Sequence, residues 1–449
     1  MDIQSLMNKI DEQREDLITL HQELVKIPSV NTGFMPTGNE TAVCNFVKDW
    51  LKKQGIESEI LARDPDRGNI IASIEGKSKT NGLLFMSHTD VVPVEDIDKW
   101  EYEPFSAKRA NGRIYGRGAS DCKGLLACQL FAMKIIKESG IQLNDNLVLA
   151  SGADEEHGGR YGFGWLVENH LEKISSPYAV NEGGGEAIQT KSNTTYAVGV
   201  GEKGRLQIEI DVKGSSAHAS TPWQGENASY LLRQVLERIE NYEPERDTST
   251  NFFEYLSLLA IEHKPMASNI DSIISEVEQD SPRLASRMKA LSRMTVTPTM
   301  LSGGIKSNSV PESIRLTCDV RTLPTQNETY LRKELDKMFE GIPNVRYEID
   351  NMALSNESKF ETPLMESLKR ATSLAVGDDN IQYVPAISTG FTDSRFLRPT
   401  GTITYGFSGA HPDDDPMLSF IHGTNESVGI KSLINGAKIM TGLVVDMLT

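Results

Sequence analysis

Strand-forming runs in this chain stop repeatedly at acidic or histidine residues, and that pattern limits the folds it can adopt. Leu83-Leu84-Phe85-Met86 leads into Ser87-His88-Thr89-Asp90. Leu147-Val148-Leu149-Ala150 leads into Ser151-Gly152-Ala153-Asp154-Glu155-Glu156. Tyr178-Ala179-Val180 leads into Asn181-Glu182-Gly183-Gly184, and Asp121 follows the turn-like stretch from Tyr115 to Ser120. Open α/β sheets gather functional groups beyond the carboxyl ends of their strands. Groups scattered along the sequence are therefore expected to meet in space. Histidines with several carboxylates, and no cysteine among them, suit one or two divalent ions such as zinc. The chemistry expected of such a cluster is metal-assisted hydrolysis.

At 449 residues the chain is too long for one ordinary core, so two domains or more are expected. A hydrophobic share of 38% is enough for a globular protein, and no apolar run approaches the length that crosses a bilayer. Met1-Asp2-Ile3-Gln4 has neither a basic start nor an apolar core, so a secretory signal is not expected there. Four cysteines, Cys44, Cys122, Cys128 and Cys318, show no paired metal spacing, which reads as a reducing cytoplasm. The formal charge of −17 repels nucleic acid and anionic membrane, and no cluster of lysine or arginine offsets it. Part of the acidic excess belongs to the expected metal cluster, and most of it serves solubility.

Apolar residues Leu6, Ile10, Leu17, Leu20 and Leu24 predict a helix over about 4–27, ended at Ile27-Pro28-Ser29. Thr41 to Gln54 reads as a second helix, and Gly68 to Ile74 as the start of a strand series. From Gly82 to Val180 strands alternate with helical stretches such as Gly124–Lys137 and Gly164–His170. That alternation predicts an α/β fold, with a parallel or mixed central sheet and helices on both faces. Near Gly201-Glu202-Lys203-Gly204 the texture changes. Strand Arg205–Val212, helix Asn227–Asn241, strands Thr295–Met300 and Ser313–Arg321, helix Glu328–Phe339 and strand Asn344–Ile349 follow. This β-α-β-β-α-β order predicts an inserted ferredoxin-like α+β domain. Glu243 to Arg293 is an extra segment within it. The expected division is residues 1–200 with 352–449 as one domain and 201–351 as the insert.

Side chains two apart on a strand share a face, which puts His88 with Asp90. An isolated His-x-Asp is weak, and a buried structural histidine is the default; the neighbouring clusters reverse that preference. Asp121, before Cys122-Lys123-Gly124, either caps the following helix or bridges two ions. Two adjacent carboxylates, Glu155 and Glu156, repel each other unless positive charge lies nearby. If Glu156 binds a metal, Glu155 is left free to take a proton from water and return it to a leaving nitrogen. Among the histidines, His21, His170 and His263 read as structural or exposed, His157 is unassigned, and His411 sits in a solvated loop. His422, in Ile421-His422-Gly423-Thr424-Asn425-Glu426, comes late enough to rejoin the sheet. His218 lies in the insert and is not an expected ligand.

Taken in order from about Leu24 onward, these motifs resemble the zinc-dependent superfamily of aminoacylase, acetylornithine deacetylase, succinyl-diaminopimelate desuccinylase and glutamate carboxypeptidase. The resemblance implies a two-metal catalytic domain (1–200 and 352–449) and an inserted lid (201–351) that forms a homodimer. It makes His88 and Glu182 ligands of the first zinc, Glu156 and His422 ligands of the second, and Asp121 the bridge. Glu155 matches the general base and Asp90 the residue supporting the site. His218 resembles a lid histidine that reaches across the dimer to stabilise the oxyanion. Asn308 and Arg321 resemble lid residues that hold the substrate carboxylate, and Gly390 and Thr392 lie in a loop that borders substrate. Two departures stand out: Cys122 follows the bridging aspartate, and Phe391 replaces a glycine in Thr389-Gly390-Phe391-Thr392-Asp393.

The resemblance thus implies a dinuclear metal-dependent amidohydrolase acting on a small N-acyl amino acid or short peptide, and the charge speaks against a nucleic-acid or membrane partner. Zinc is the expected metal, with cobalt and manganese as alternatives. A dipeptidase or carboxypeptidase of the same superfamily is the competing chemistry. An inactive metal-binding scaffold is the competing class, and the presence of both Glu155 and Glu156 argues against it.

Overall fold

Leu83 to Met86 lie on the strand Asn81–His88, which is buried from Gly82 onward. In this computed structural model, which describes residues 2–189, 193–256 and 263–449, that strand is central to a mixed sheet. It pairs in parallel with Asn146–Gly152 on one side and with Tyr178–Asn181 on the other. Ile403–Gly406 continues the parallel set beside Tyr178–Asn181. Gly68–Ile74 and then Glu57–Ala62 extend the sheet antiparallel from the other side. The register sets His88 opposite Gly152 and Phe85 opposite Val180. The parallel strands therefore end together, and the acidic loops follow directly.

Both faces of this sheet are covered. Leu84, Met86, Val148, Ala150 and Ala179 pack with Phe163, Leu166 and Ile174 of the helix Phe163–Ile174. On a pleated strand the intervening Leu83 and Phe85, also buried, point the other way. The helix Lys123–Ser139 is buried without interruption from Lys123 to Ile136. A helix apolar on every side belongs inside a protein, and this one packs against the helices Ile430–Leu448 and Arg14–Val25. Each fully buried Leu, Phe or Val is worth about 1.5–3 kcal/mol, so these two layers hold the strand ends in place.

The first of two compact units comprises Met1–Val200, Ser358–Ala386 and Thr392–Thr449. The second comprises Gly201–Glu357 and Ile387–Phe391. Its four-stranded antiparallel sheet runs in the order Thr295–Gly303, Ser313–Arg321, Arg205–Lys213, Val345–Ala353. Buried residues alternate along Arg205–Lys213, so Leu206, Ile208, Ile210 and Val212 form one apolar face. Leu232 and Val235 of helix Ala228–Glu240 and Leu331 and Leu335 of helix Glu328–Phe339 cover it.

Several elements differ from the sequence expectation. The helix expected over 4–27 is two helices, Ile3–Glu12 and Arg14–Val25, broken at Gln13. The strand series begins earlier, at Glu57–Ala62, a half-exposed edge strand whose polar residues hide its periodicity. The second unit extends to Glu357, because Asn356 and Glu357 pair with Glu202 and Gly201. The extra segment contains the helices Asn251–Glu254, Ile270–Asp280 and Pro282–Leu291; its residues 257–262 lie outside the described residues.

Candidate metal centre

The parallel strands deliver His88, Glu155, Glu156 and Glu182 to one place in the first unit, and loops bring Asp121 and His422 to them. His88 ends its strand; its Nε2 is 3.0 Å from Asp121 Oδ1 and 3.5 Å from Glu182 Oε1. His422 Nε2 is 3.1 Å from Asp121 Oδ2 and 3.1 Å from Glu156 Oε2. Asp121 thus presents one oxygen to each histidine. Its side chain does not cap the following helix, which starts from Cys122 without a side-chain hydrogen bond. Ligand atoms of His88, Asp121 and Glu156 lie within 4.8 Å of one another, as do those of His88, Cys122 and Glu182.

Asp90 lies just past the strand end. Its Oδ1 is 3.4 Å from His88 Nδ1, and its backbone carbonyl is 3.0 Å from the same nitrogen. A carbonyl only accepts, so Nδ1 donates to Asp90, which leaves Nε2 as the nitrogen that could meet a cation. The Asp90 oxygens also accept the backbone N–H groups of Glu155 and Glu156 at 3.1 and 3.2 Å. Asn31 Nδ2 donates to Asp90 at 2.9 Å and to Asp154 at 3.1 Å.

The electrostatics are those of negative charge packed without a counter-ion. Burial, followed by the Glu182 charge, pushes the Glu155 carboxyl well above its usual range. Burial and then Asp121 raise Glu182 to about 8, and burial raises Glu156. Burial would raise Asp121 too, but hydrogen bonds from His422 and His88 hold it well below the ordinary carboxylate range. Hydrogen bonds to Asp121 and Glu156 lift the half-exposed His422 to about 10. A divalent cation would offset the repulsion that, after burial, raises Glu155, Glu156 and Glu182. Glu155 Oε1 is buried with no hydrogen-bond partner, although Glu155 is only 6% exposed. A mixed imidazole and carboxylate donor set with a spare carboxylate fits divalent metal ions.

The sequence profile of peptidase family M20/M25/M40 matches residues 84–446, the span that carries His88, Asp90, Asp121, Glu155, Glu156, Glu182 and His422. The chain belongs to that family. It is a metal-dependent hydrolase of peptide or amide bonds. A probable succinyl-diaminopimelate desuccinylase of Staphylococcus epidermidis is 26% identical over 415 residues, covering 92% of this chain and 93% of that one. An M20 family metallo-carboxypeptidase from Sulfolobus solfataricus superposes with a TM-score of 0.73 at 20% identity, over 96% of this chain and 98% of that one. Human carnosine dipeptidase 1 superposes with a TM-score of 0.66 at 15% identity, over 99% of both. These two likenesses show a shared M20 fold.

Sequence reasoning missed several residues around the M20 cluster. Cys122 Sγ accepts the His88 backbone N–H at 3.4 Å, and burial pushes its thiol up to about 12. Glu426 is fully buried and accepts the backbone N–H groups of Gly118, Ser120 and Asp121 at 3.0–3.1 Å, with Arg117 Nη1 at 2.7 Å. It shapes the turn that presents Asp121. Its position four residues after His422 was the available signal. Arg67 holds Glu40 and Asp154 together beneath the Glu155 loop. Asp393 is buried with neither oxygen hydrogen-bonded, and burial raises it to about 7.

Thr392 is in the first unit, where its Oγ1 accepts from Asn181, the neighbour of Glu182, at 3.3 Å. His218, Asn308, Arg321 and Gly390 are in the second. There His218 bridges to Ser309, and the Asn308 carbonyl accepts the Ala219 N–H at 3.0 Å, so those two residues adjoin. Arg321 Nη1 donates to the Thr389 carbonyl at 3.0 Å, which sets it beside Gly390. Of the other histidines, His21 is buried, His157 is exposed, and His170 packs edge-on against Trp165. His411 is half-buried at the start of a partly exposed loop, and its backbone N–H donates to Ser432.

Proposed function

We propose that this M20 hydrolase uses two divalent ions to cleave the amide bond of an N-acyl amino acid. The observation that carries the reading is Asp121, whose two oxygens lie 3.0 and 3.1 Å from His88 and His422 respectively. His88 and Glu182 would hold one ion, Glu156 and His422 the other, with Asp121 shared between them. Zinc suits this donor set, and so do cobalt and manganese. When bound, the ions supply Lewis acidity and lower the pKa of water towards ~7.

Glu155, with an unpartnered oxygen, is the proposed general base. It takes a proton from the attacking water and delivers it to the leaving nitrogen. Asp90 positions both sides of this arrangement, through the His88 ring and the Glu155 N–H. Thr392, Gly390, Asn308 and Arg321 would bind substrate, with the Arg321 guanidinium donating to the substrate carboxylate. His218 would donate to the oxyanion from a partner subunit. A homodimer suits the second unit, whose outer strand Thr295–Gly303 pairs on one side only among the described residues and exposes Met300 and Leu301. Four buried, unpaired cysteines suit a reducing cytoplasm.

A second reading, as a dipeptidase or carboxypeptidase, is favoured by the likeness to the Sulfolobus carboxypeptidase. Hydrolysis of a panel of N-acetyl, N-succinyl and dipeptide substrates, with and without chelator, tests both. Chelator-sensitive release of an acyl group supports the first reading. Cleavage of peptides alone supports the second, and chelator-insensitive activity defeats both.

A further inference from the structure

The second unit places two guanidinium groups on one carboxylate. Arg321 Nε and Nη2 donate to Asp319 Oδ1 and Oδ2 at 2.7 and 3.1 Å. Arg205 Nε lies 3.7 Å from Asp319 Oδ2, too far for a hydrogen bond. One negative charge cannot neutralise two positive ones, so the patch keeps an excess of positive charge. Buried Lys203 reports the same field: burial and then the Arg321 charge push its ammonium down to about 7.

The two arginines differ in commitment. Arg321 has Asp319 and, through Nη1, the Thr389 carbonyl at 3.0 Å. Arg205, 38% exposed, has among the described residues only the long contact to Asp319 as a polar partner. Its carbon Cζ stands over the Phe391 ring, 5.6 Å from the centroid. That distance is within the range of a cation–π interaction, which steadies the guanidinium plane and consumes none of its N–H donors. A guanidinium steadied in this way keeps its N–H donors for two-pronged recognition of a carboxylate. Asp319, Arg321, Arg205, Thr389 and Phe391 all belong to the same unit.

We propose that Arg205, steadied by Phe391 beside Arg321, selects substrates that carry a second carboxylate. The proposal rests on the reading that Arg321 and Gly390 contact substrate, and it names the substrate class as amides of dicarboxylic acids. A monocarboxylate satisfies Arg321 alone and leaves Arg205 to water. A dicarboxylate engages both guanidinium groups.

The test is calorimetric titration of the metal-loaded full-length protein with glutarate and with butyrate, which requires no turnover. The expected result is at least tenfold tighter binding of glutarate. Arg205→Ala should reduce that preference to under twofold, Arg205→Lys should restore part of it, and Phe391→Gly should weaken glutarate several-fold with little effect on butyrate. A preference unchanged in Arg205→Ala, in protein with an unaltered melting temperature, overturns the proposal. Hydrolysis of the amide panel separates the two readings. An inactive protein that keeps an Arg205-dependent preference loses the hydrolase assignment alone. An active enzyme whose preference ignores Arg205 loses the anion subsite alone.

Discussion

The Asp90 carboxylate accepts the backbone N–H of Glu155 at 3.1 Å, through the oxygen that lies 3.4 Å from His88 Nδ1. One buried side chain therefore sets both a proposed metal ligand and the proposed base. Asp90→Asn keeps the shape but gives the two N–H groups and His88 a weaker, half-lost acceptor. Residues that orient metal ligands typically cost ~10–100-fold in metal affinity or activity when replaced. We expect a loss of that size in both, measured by metal titration and by steady-state rates.

Glu155 is the proposed base and not a proposed ligand, so Glu155→Gln separates the two roles. General-base catalysis contributes ~10²–10⁴-fold. Turnover should fall by at least that much while metal content stays at the wild-type level. Undiminished hydrolysis would remove Glu155 from the mechanism.

Glu426 ties Arg117 to the turn before Asp121, and both partners are almost completely buried. Glu426→Gln leaves the Arg117 guanidinium without its counter-charge. Breaking a buried pair in this way costs ~3–5 kcal/mol. A denaturant melt should show that loss, together with weaker metal retention, because the N–H groups of Ser120 and Asp121 lose their charged acceptor.

His21 predicts an acid limb to stability. Its Nε2 donates to the Ala119 carbonyl at 2.8 Å, and Nδ1 is buried without a partner. Burial lowers its pKa from 6.5 to about 4. The unfolded chain therefore binds more protons between those values. The stabilisation is complete above pH 6.5 and is lost as pH falls towards 4, amounting to about 3 kcal/mol. His21→Gln should flatten stability over that interval, as read from melting at stepped pH.

The proposed ligands were legible because strand periodicity marks where a parallel sheet ends, and polar residues at those ends have one region to enter. His88, Glu156 and Glu182 follow from that rule. His422 and Asp121 lie in loops; the residues alone left Asp121 between a helix cap and a bridge, and the resemblance gave both their ligand roles. Glu426 and Asp393 were not read as buried, since an acid in Thr424-Asn425-Glu426 or Thr392-Asp393-Ser394 looks solvated until backbone N–H groups or apolar walls enclose it. Glu57–Ala62 escaped notice because an edge strand with one wet side carries little apolar signal. The Arg205–Phe391 contact joins residues far apart in sequence, and no local pattern announces it.

The central claim is that Asp121 is shared by two cations. Anomalous diffraction from crystals of the metal-loaded protein measures this directly. The account predicts two peaks per chain, one beside His88 and Glu182 and one beside His422 and Glu156, each within bonding distance of a different Asp121 oxygen. A single peak that Asp121 does not touch, or metal bound elsewhere in the chain, would contradict it.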